Sequence, residues 1–486
     1  MSKPYVLELA TGSSPLHVRI AQSVANDIAR GRLKAGARLP GSRSLAQMLG
    51  VHRNTVNAAL AELTAQGWVE PQPARGYFVR EPDPSFVARD SRVREGTPAS
   101  VPERPGFELG AAVPREAVRG ELPKALILTG GVPDPRLFPH AQLARAYRRA
   151  LKHRGPALLD YGYPQGEPSL REALANMVRE NRGIAARADD VLVTRGSQQA
   201  IWLAAQALCS PGDRVGVEEL GYPPAWGALR MAGAQLVPLE LDHEGVRVES
   251  VERALASGPL RALYLTPHHQ YPTMVALSPQ RRLALLDLAR RHRFAILEDD
   301  YSHEFHYEGR PRLPMASSDS HGNVVYLGGL SKILAPGLRV GYVVAPRALL
   351  ARMADLRSLV DRQGDALGEA AVAELIAEGD VARHARKMRE IYLARRSVLV
   401  DVLRREFGDR MSFEIPQGGM ALWIEVRGVK PSAWAERAKA RGVWFRAGVE
   451  FSLEHKTLPY VRMGFTRLDE KEIHKAVKEA AKAWSE

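Results

Sequence analysis

The chain has 486 residues, of which 45% are hydrophobic and 25% are charged, a composition typical of soluble globular proteins. Its length predicts two or more domains, and its single cysteine, Cys209, excludes a disulfide within the chain and a cysteine metal cluster. The formal net charge of +13 permits binding to nucleic acid but does not prove it. The N-terminus lacks a signal-peptide profile and no apolar run is long enough to cross a bilayer, so we expect a cytoplasmic protein.

The surplus positive charge is concentrated near the N-terminus. Residues 1–80 contain ten Lys or Arg against four Asp or Glu, so about a sixth of the chain carries nearly half of the net charge. This asymmetry is expected for a DNA-binding head on a more neutral body. Composition predicts three regions, which are a head over 1–80, a linker rich in proline and charge over 81–122, and a body over 123–486.

Three helices and a hairpin are predicted in the head. Apolar residues recur at helical spacing over 17–30. A second helix begins after Ser42, which we assign as its N-cap, and Gly50 supplies a tight turn before a third helix. Segments 68–70 and 76–79 are predicted to pair as a two-stranded wing. The order of these elements predicts a winged helix-turn-helix.

The head resembles a known DNA-binding family. The segments LPGSRSLAQMLGVHRNTV, AALAEL, GWVE and RGYFV closely resemble the winged helix-turn-helix of GntR-type regulators, over about residues 15–80. The resemblance implies that these residues reach DNA: Arg43, Arg53, Asn54, Thr55, Arg75 and Gly76. Guanidinium groups grip guanine or phosphate in a bidentate way, and a helix N-terminus favours phosphate. The alternative is that the arginines are solvated surface residues, and His52 is either a phosphate contact or a turn residue.

In the body, short apolar strands alternate with amphipathic helices, the pattern of an α/β domain. The predicted strands are 191–194, 214–217, 262–266, 294–298, 324–327 and 340–345. The acidic run Glu298-Asp299-Asp300 follows one strand, and Gly196-Ser197 follows another and opens a helix. Because ligands of α/β sheets bind at the carboxyl ends of strands, and helix N-termini favour phosphate, both segments are candidate binding residues.

These residues supply the parts of a pyridoxal phosphate site. Lys332, next to Ser331 at the end of a strand and turn, offers an amine for a Schiff base. An aspartate would keep the pyridine nitrogen protonated, and the hydroxyl of Tyr301 would bond the phenolic oxygen. Arg339 and the helix that opens at Ser197 would hold the phosphate.

The body, about residues 125–486, resembles fold-type I aminotransferases, and the whole chain looks like the MocR branch of GntR regulators. The matching segments are GGVPDPRLFP, YGYPQGEPSLREALA, VTRGSQQA, TPHHQYPT, LEDDYSHEF, LSKILAPGLRVGY and HARKMREIYLARR. The resemblance implies that Lys332 bonds the cofactor and that Asp299, rather than its neighbour, pairs with the pyridine nitrogen. The other implied cofactor contacts are Tyr301, Ser197, Gln198, Tyr222, Ser331, Arg339 and either His269 or Gln270. Arg462 would clamp the carboxylate of an effector.

Three positions depart from the family pattern. Gly329 stands where many relatives carry a hydroxyl residue, and Met274 stands where the aminotransferase motif ends in glycine. Pro224 lies near a position where relatives that sense gamma-aminobutyrate carry arginine. We therefore expect one phosphate contact fewer, an altered turn at 274, and a different effector.

No metal site is predicted. His268 and His269 are adjacent, but the chain has no cysteine pair, and the two histidines lack the spacing that places ligands on one helix face. Pyridoxal phosphate is therefore the one cofactor that we expect.

Two functions fit these residues. In the first, the body senses an amine, an amino acid or vitamin B6 itself, and binding of this ligand changes the affinity of the head for DNA. In the second, the body is an active aminotransferase, since its catalytic set is complete, and the head only targets it. We favour the regulator, because a DNA-binding head has no use in a plain metabolic enzyme. The resemblance also implies a homodimer, whose two heads would read operator half-sites.

Overall fold

The computed structural model describes residues 7–9, 14–80, 104–109 and 125–484. Contacts divide the chain into two compact units, Met1–Val113 and Pro114–Glu486. The linker predicted over 81–122 lies outside the described residues, except for 104–109. Within the described ranges, no helix is long and apolar enough to cross a membrane.

The N-terminal unit contains three helices and an antiparallel hairpin: α1 (Leu16–Ala29), α2 (Ser42–Leu49), α3 (Arg53–Ala65), β1 (Val69–Gln72) and β2 (Gly76–Val79). The apolar stripe predicted over 17–30 is buried at Ile20, Val24 and Ile28, whereas Ala29 is exposed. These side chains pack against the buried faces of α2, α3 and the hairpin in one core. Burial of one apolar face per helix therefore holds this unit together.

The turn between α2 and α3 depends on Gly50. This residue has φ of 63° and ψ of 30°, a left-handed conformation that disfavours residues with a Cβ. After the turn, His52 is the N-cap of α3, and its Nδ1 accepts a hydrogen bond from the Asn54 N–H at 3.3 Å. His52 is thus a turn residue at the start of α3, and a phosphate contact by its side chain stays a prediction.

The C-terminal unit begins with β3 (Leu126–Ile127) and contains eleven further helices and fourteen further strands among its described residues. The helices are α4 (His140–Leu158), α5 (Pro168–Arg182), α6 (Ser197–Leu208), α7 (Pro223–Met231), α8 (Val248–Ala256), α9 (Pro279–His292), α10 (Arg347–Val360), α11 (Ala366–Ala377), α12 (Asp380–Phe407), α13 (Pro431–Ala440) and α14 (Glu470–Lys482). The strands are β4 (Val191–Thr194), β5 (Arg214–Glu218), β6 (Gln235–Leu239), β7 (Leu241–Asp242), β8 (Gly245–Val246), β9 (Ala262–Leu265), β10 (Ala295–Asp300), β11 (Val324–Gly329), β12 (Gly341–Val344), β13 (Met411–Ser412), β14 (Ala421–Val426), β15 (Val443–Trp444), β16 (Arg446–Ala447) and β17 (Tyr460–Gly464).

Seven strands form the central sheet, in the order β4-β12-β11-β10-β9-β5-β6. Strand β12 runs antiparallel to both of its neighbours, and the other pairs are parallel. Every residue of β4, β9 and β12 is buried, because helices cover both faces of the sheet. One apolar core lies with α6, α7 and α10, and two others include residues of α5 and α9.

All six predicted strands of the body exist; β4 has the predicted bounds, and the ends of the other five differ by one or two residues. The edge strand β6 was not predicted, because it is only partly buried and contains Pro238. A second, antiparallel sheet, β13-β14-β17-β16, packs on α12, α13 and α14 around one large core that includes Tyr392 and Trp434. This smaller layer supplies Arg462 from β17.

Candidate functional site

A cavity of about 610 Å³ lies in the C-terminal unit, where strand β10 ends and helices α6 and α7 begin. Five of the residues predicted to contact a cofactor line it: Ser197, Tyr222, Asp299, Tyr301 and Lys332. They belong to the first turn of α6, the N-cap of α7, the end of β10, the residue after it, and the segment after β11. Residues separated by more than a hundred positions therefore meet at the edge where α/β sheets bind ligands.

The two adjacent aspartates lie inside β10, which extends two residues further than predicted because it pairs with β11 through Asp300. Successive strand residues point to opposite faces of a sheet. Asp299 accepts a hydrogen bond from the Tyr264 hydroxyl at 2.6 Å and lines the cavity. Asp300 accepts one from the Tyr326 hydroxyl at 2.8 Å and contacts His303 Nδ1 at 3.0 Å. Strand geometry thus brings Asp299 to the cavity and turns Asp300 away from it.

The environments of the two aspartates shift their pKa values in opposite directions. Burial raises the pKa of Asp299 to about 6, and the charge of Asp300 adds to this effect, whereas the Tyr264 hydrogen bond and the charge of Lys332 oppose it. Burial alone would also raise the pKa of Asp300, but His303 and other neighbouring basic groups outweigh burial and lower it. Oδ1 of Asp299 is buried and has no hydrogen-bond partner among the described residues, so this carboxyl is suited to a cationic or N–H donor in the cavity.

The first turn of α6 and the segments near it form a cradle for an anion. Gly196 is the N-cap of α6 with φ of 77°, and Ser197 lines the cavity. The guanidinium of Arg339 lies against this turn, since a Cβ on Gly196 would be 3.2 Å from Arg339 Nη1. The Ser331 hydroxyl is buried without a hydrogen-bond partner among the described residues. A helix N-terminus, a guanidinium and an unpaired hydroxyl are the donors that phosphate prefers.

Gln198 faces away from the centre of this cradle. Its Nε2 donates to the carbonyl of Pro224 at 3.0 Å, and it is not among the residues that line the cavity. Its Oε1 is buried and has no partner in the described part of the chain. The structure therefore connects Gln198 to the start of α7.

Neither of the alternatives His269 and Gln270 brings its side chain to the cavity. His269 lines a second cavity, its Nδ1 lies 2.9 Å from the Ser302 hydroxyl, and its carbonyl accepts from the Tyr301 hydroxyl at 2.8 Å. Gln270 donates to the carbonyls of Leu220 and its own neighbour at 2.7 and 2.6 Å. Both side chains thus stabilise the loop whose His269 carbonyl accepts the hydrogen bond from Tyr301.

The turn expected to be altered at Met274 is closed in the structure. The Met274 N–H donates to the Gln270 carbonyl at 2.7 Å, and Met274 has φ of 65°. A side chain in this left-handed region is strained, which is why glycine is common there. Met274 is nonetheless buried, and its sulfur lies 3.9 Å from the Tyr301 hydroxyl.

Arg462 is fully buried behind the wall of the cavity. Its Nη1 donates to the carbonyl of Thr129 at 3.3 Å, its Nε to that of Pro272 at 3.4 Å, and its guanidinium carbon lies 4.5 Å from the centre of the Tyr271 ring. Nη2 has no hydrogen-bond partner among the described residues. Gly130, which lines the cavity, has φ of 83° and leaves room for this guanidinium, because a Cβ there would lie 2.3 Å from Nη1.

Two groups of site residues were not predicted from the sequence. Tyr264 was missed, although a tyrosine in the otherwise apolar strand β9 requires a partner for its hydroxyl, which here is Asp299. The far wall was missed because no motif marks it: it consists of Ser432, Glu436, Lys439, Trp444, Arg446 and Glu450. This wall carries both acidic and basic side chains.

On the N-terminal unit, Arg43, Arg53, Asn54 and Arg75 are exposed, and Thr55 and Gly76 are half-buried. The N-cap prediction for Ser42 is wrong. Gly41 is the N-cap of α2, and the Ser42 hydroxyl instead accepts from Arg53 Nε at 3.2 Å.

At the wing, Arg75 lies over the ring of Phe78 at 5.4 Å from its centre, and Gly76 has φ of 107°. Exposed arginines thus lie at the start of α2, at the start of α3 and in the wing turn of one small unit.

Comparisons with known proteins match both units. Residues 16–79 match the family of bacterial regulatory proteins, gntR family, and residues 131–479 match aminotransferase class I and II. The chain is 34% identical to the probable rhizopine catabolism regulatory protein MocR of Rhizobium meliloti, over 89% of this chain and 86% of that protein. It is 31% identical to the HTH-type transcriptional regulator TauR of Rhodobacter capsulatus, with 97% of each chain covered.

Solved structures match the C-terminal unit. The multiple substrate aminotransferase of Thermococcus profundus aligns with a TM-score of 0.70 and 30% identity, over 75% of this chain and 92% of that one. The kynurenine aminotransferase of Pyrococcus horikoshii, solved in complex with PMP, aligns with a TM-score of 0.70 and 29% identity, over 74% and 91%. The C-terminal unit therefore has the fold of the fold-type I aminotransferases, with a GntR-type helix-turn-helix before it.

Proposed function

Because this chain belongs to the MocR-type GntR regulators, which join a DNA-binding head to an aminotransferase-like body, we propose that its body holds pyridoxal phosphate and senses an amine or amino acid. The family implies DNA binding by the head and dependence on this cofactor. The proposal rests on the buried Oδ1 of Asp299, which has no hydrogen-bond partner in the described part of the chain and belongs to a cavity that Lys332 also lines.

The donor set fits the cofactor group by group. When bound, pyridoxal phosphate supplies a carbonyl group that condenses with amines and a ring that withdraws electrons. Lys332 offers the amine for attachment, and Asp299 would take the N–H of the pyridine ring and keep that nitrogen protonated. The hydroxyl of Tyr301, which donates to the His269 carbonyl in the structure, would turn its single proton to the phenolic oxygen. Tyr222 would cover one face of the ring.

The phosphate would occupy the cradle at the start of α6. The buried Ser331 hydroxyl has no partner among the described residues and is available to an anion. Arg339 lies against the Gly196 turn, where its Nη2 donates to the Arg195 carbonyl at 2.7 Å, and its remaining N–H groups would bind the phosphate. Ser197 and the main-chain N–H groups of the first turn add donors. Gln198 joins this set less directly, through the start of α7. Gln270 and His269 act by holding the loop against Tyr301.

The effector would be bound through its carboxylate by Arg462. A fully buried guanidinium with an unpaired Nη2 is a costly arrangement unless a ligand completes it. The glycines at 130 and 131 line the cavity in front of this guanidinium. An amino acid satisfies both ends of the site, because its amine reacts at the cofactor and its carboxylate pairs with arginine.

A homodimer is part of the proposal. Large hydrophobic side chains are exposed on two segments of the body: Leu159, Tyr161, Tyr163, Leu359 and Val360. Such a surface is typical of one that a second copy covers. Two copies would present two heads, and operator half-sites would match their spacing.

An active aminotransferase is the second candidate. The chain is 30% identical to the aromatic-amino-acid aminotransferase 1 of Thermococcus litoralis, over 75% of this chain, and the donor set described above is sufficient for transfer of an amino group. Steady conversion of a keto acid by the purified chain at a metabolic rate would favour this candidate over the regulator.

The cofactor proposal is tested by absorbance. The purified chain, supplied with pyridoxal phosphate, should be yellow, and Lys332→Ala should lose the visible band that reports attachment to lysine. Lys439→Ala is the matched control, since Lys439 is a second lysine that lines the same cavity. A colourless wild-type chain, or an unchanged band in the Lys332 variant, would refute the assignment.

A further inference from the structure

A second cavity, of about 300 Å³, lies beside the loop that supports Tyr301. Four histidines line it, and three of them lie close together: His268, His269 and His306, with His243 apart from that group. The rest of its wall includes Met274, Arg312 and the segment 414–418. Apart from its support of Tyr301 by His269, this cavity takes no part in the cofactor site described above.

The three imidazoles converge on one point. Each offers a ring nitrogen within 4.8 Å of the nitrogens of the other two. The ring centres of His268 and His269 are 4.5 Å apart, and each lies 6.3 Å from that of His306. Two neighbouring rings of one loop and a third ring from the segment after β10 therefore each bring a nitrogen into the same small region.

Neither ring nitrogen of His268 has a hydrogen-bond partner among the described residues, although the residue is only 4% exposed. Buried polar groups in native proteins nearly always have partners, so an imidazole with two unpaired nitrogens requires an explanation.

Contacts hold the side chain of His269 and the main chain of His306. His269 Nδ1 lies 2.9 Å from the Ser302 hydroxyl, which leaves Nε2 to face the cavity wall at Gly418. A Cβ on Gly418 would lie 2.1 Å from this Nε2, so glycine is required there. His306 forms a β-bridge with Gly418, which fixes its main chain. Metal-binding histidines commonly have their second ring nitrogen held by a hydrogen bond, as Nδ1 of His269 is here.

We propose that His268, His269 and His306 form a binding site for a divalent transition-metal cation of the zinc, nickel and cobalt class. Nitrogen ligands favour these ions over calcium and magnesium. Nitrogens around a tetrahedral zinc ion lie about 3.4 Å apart, so the rings need to close by only about an ångström and a half. The cavity supplies a fourth position for water or a small ligand, as in sites with three protein ligands.

A different set, His268 with Asp300 and His303, also brings its ligand atoms within 4.8 Å. Asp300 already contacts His303 at 3.0 Å and accepts from the Tyr326 hydroxyl at 2.8 Å. Asp300 Oδ1 and His303 Nδ1 also have no hydrogen-bond partner among the described residues. Neither residue lines the cavity, however, whereas all three imidazoles do and have space beside them for a water or a small ligand. We assign the ion to the three-imidazole set for this reason.

The test is metal binding by the full, untagged chain without added cofactor, which keeps it independent of the pyridoxal phosphate proposal. Isothermal titration with Zn²⁺ should give one site per chain, and Co²⁺ should produce visible bands of a bound ion. His306→Ala should weaken Zn²⁺ binding by about 100-fold or more, because changing even a residue that only orients a ligand costs 10–100-fold. His306→Gln, which retains bulk, should do the same.

Two further variants make the result decisive. His243→Ala is the matched control, since His243 is exposed and lines the same cavity outside the three-imidazole set, and its binding should equal that of wild type. His303→Gln should also retain the site. Absence of stoichiometric Zn²⁺ binding by wild type, or equal binding by the His306 variants, would overturn the proposal. Loss in His303→Gln with retention in His306→Ala would assign the ion to the other set.

Discussion

At the scale of single residues, the environment of Asp299 decides what the cavity can bind. Its carboxyl is buried on the cavity side of β10. One oxygen accepts a hydrogen bond from the Tyr264 hydroxyl, and the other has no hydrogen-bond partner among the described residues. Asp300, one position later, belongs to a separate polar cluster with a lowered pKa. Because successive residues of a strand point to opposite faces of the sheet, the two adjacent aspartates have different environments and different chemistry.

The raised pKa of Asp299 predicts the pH dependence of cofactor binding. Below about pH 6 the carboxyl is neutral and no longer attracts a protonated pyridine ring, so affinity for pyridoxal phosphate should fall as pH decreases from 7.5 to 5. In the cofactor-free chain the sign is the reverse: this carboxyl contributes stability below its ordinary pKa and loses it as pH rises through about 6.

Asp299→Asn should remove both effects. Cofactor titrations between pH 5 and 8, followed by absorbance, should show weaker binding and a flatter profile in this variant than in wild type. Asp409→Asn, a substitution in the short 3-10 helix that follows α12, serves as the control. A wild-type profile with the same slope as that of the Asp299 variant would contradict the assignment.

Gly130 makes a second prediction about individual residues. Alanine there meets a left-handed φ and a contact of 2.3 Å with Arg462 Nη1, so it should both destabilise the body and displace the guanidinium. Gly212→Ala is the matched control, because Gly212 also has positive φ but its added Cβ would meet nothing within 4 Å.

We expect the Gly212 variant to lose about 1 kcal/mol of unfolding free energy and the Gly130 variant clearly more. Urea unfolding of the two variants measures this difference. Equal losses would mean that the Arg462 contact relaxes without cost.

At the scale of secondary structure, apolar runs predicted six of the seven strands of the central sheet, since these six are buried on both faces. Their ends were less predictable. Strand β10 continues into two aspartates because hydrogen bonding to β11 satisfies its main chain, a long-range effect that composition does not reveal. The cap of α2 was misassigned for a related reason, since the Ser42 hydroxyl bonds to Arg53 eleven positions away.

The helices of the head give a stability prediction. Leu60 in α3 is 1% exposed, and its truncation to alanine should cost about 2–5 kcal/mol. Hydrogen exchange of peptides from residues 16–79 should then show lost protection, while the absorbance of bound cofactor persists. Met48→Ala, at an exposed position of α2, should change stability by less than about 0.5 kcal/mol. Loss of cofactor binding in Leu60→Ala would contradict independent folding of the two units.

At the scale of the whole molecule, the sequence predicted a head, a body and the residues that would face a cofactor, and five of those residues line one cavity. The sequence could not predict the side chains that the fold contributes from elsewhere. Tyr264, Gly130 and the far wall over 432–450 come from different strands and helices, and no local motif joins them. The convergence of three histidines was likewise missed, because they meet only across a loop and a bridge to Gly418.

The regulator and the enzyme differ in one property of the whole chain, which is coupling between the cavity and DNA. A regulator must bind DNA with different affinity when its effector site is filled, and the coupling must be reciprocal. Arg53→Ala should weaken operator binding and leave the cofactor band unchanged, because Arg53 lies in the separate N-terminal unit.

Coupling between the cavity and DNA is tested most directly by the affinity of the full chain for an operator fragment selected from genomic DNA. The dissociation constant is measured with and without pyridoxal phosphate and candidate amino acids. We predict that at least one of these ligands changes the dissociation constant by about 5-fold or more in wild type and does not change it in Lys332→Ala. Equal operator affinity in all ligand states, together with steady amino-group transfer at a metabolic rate, would contradict the regulator and establish the enzyme instead.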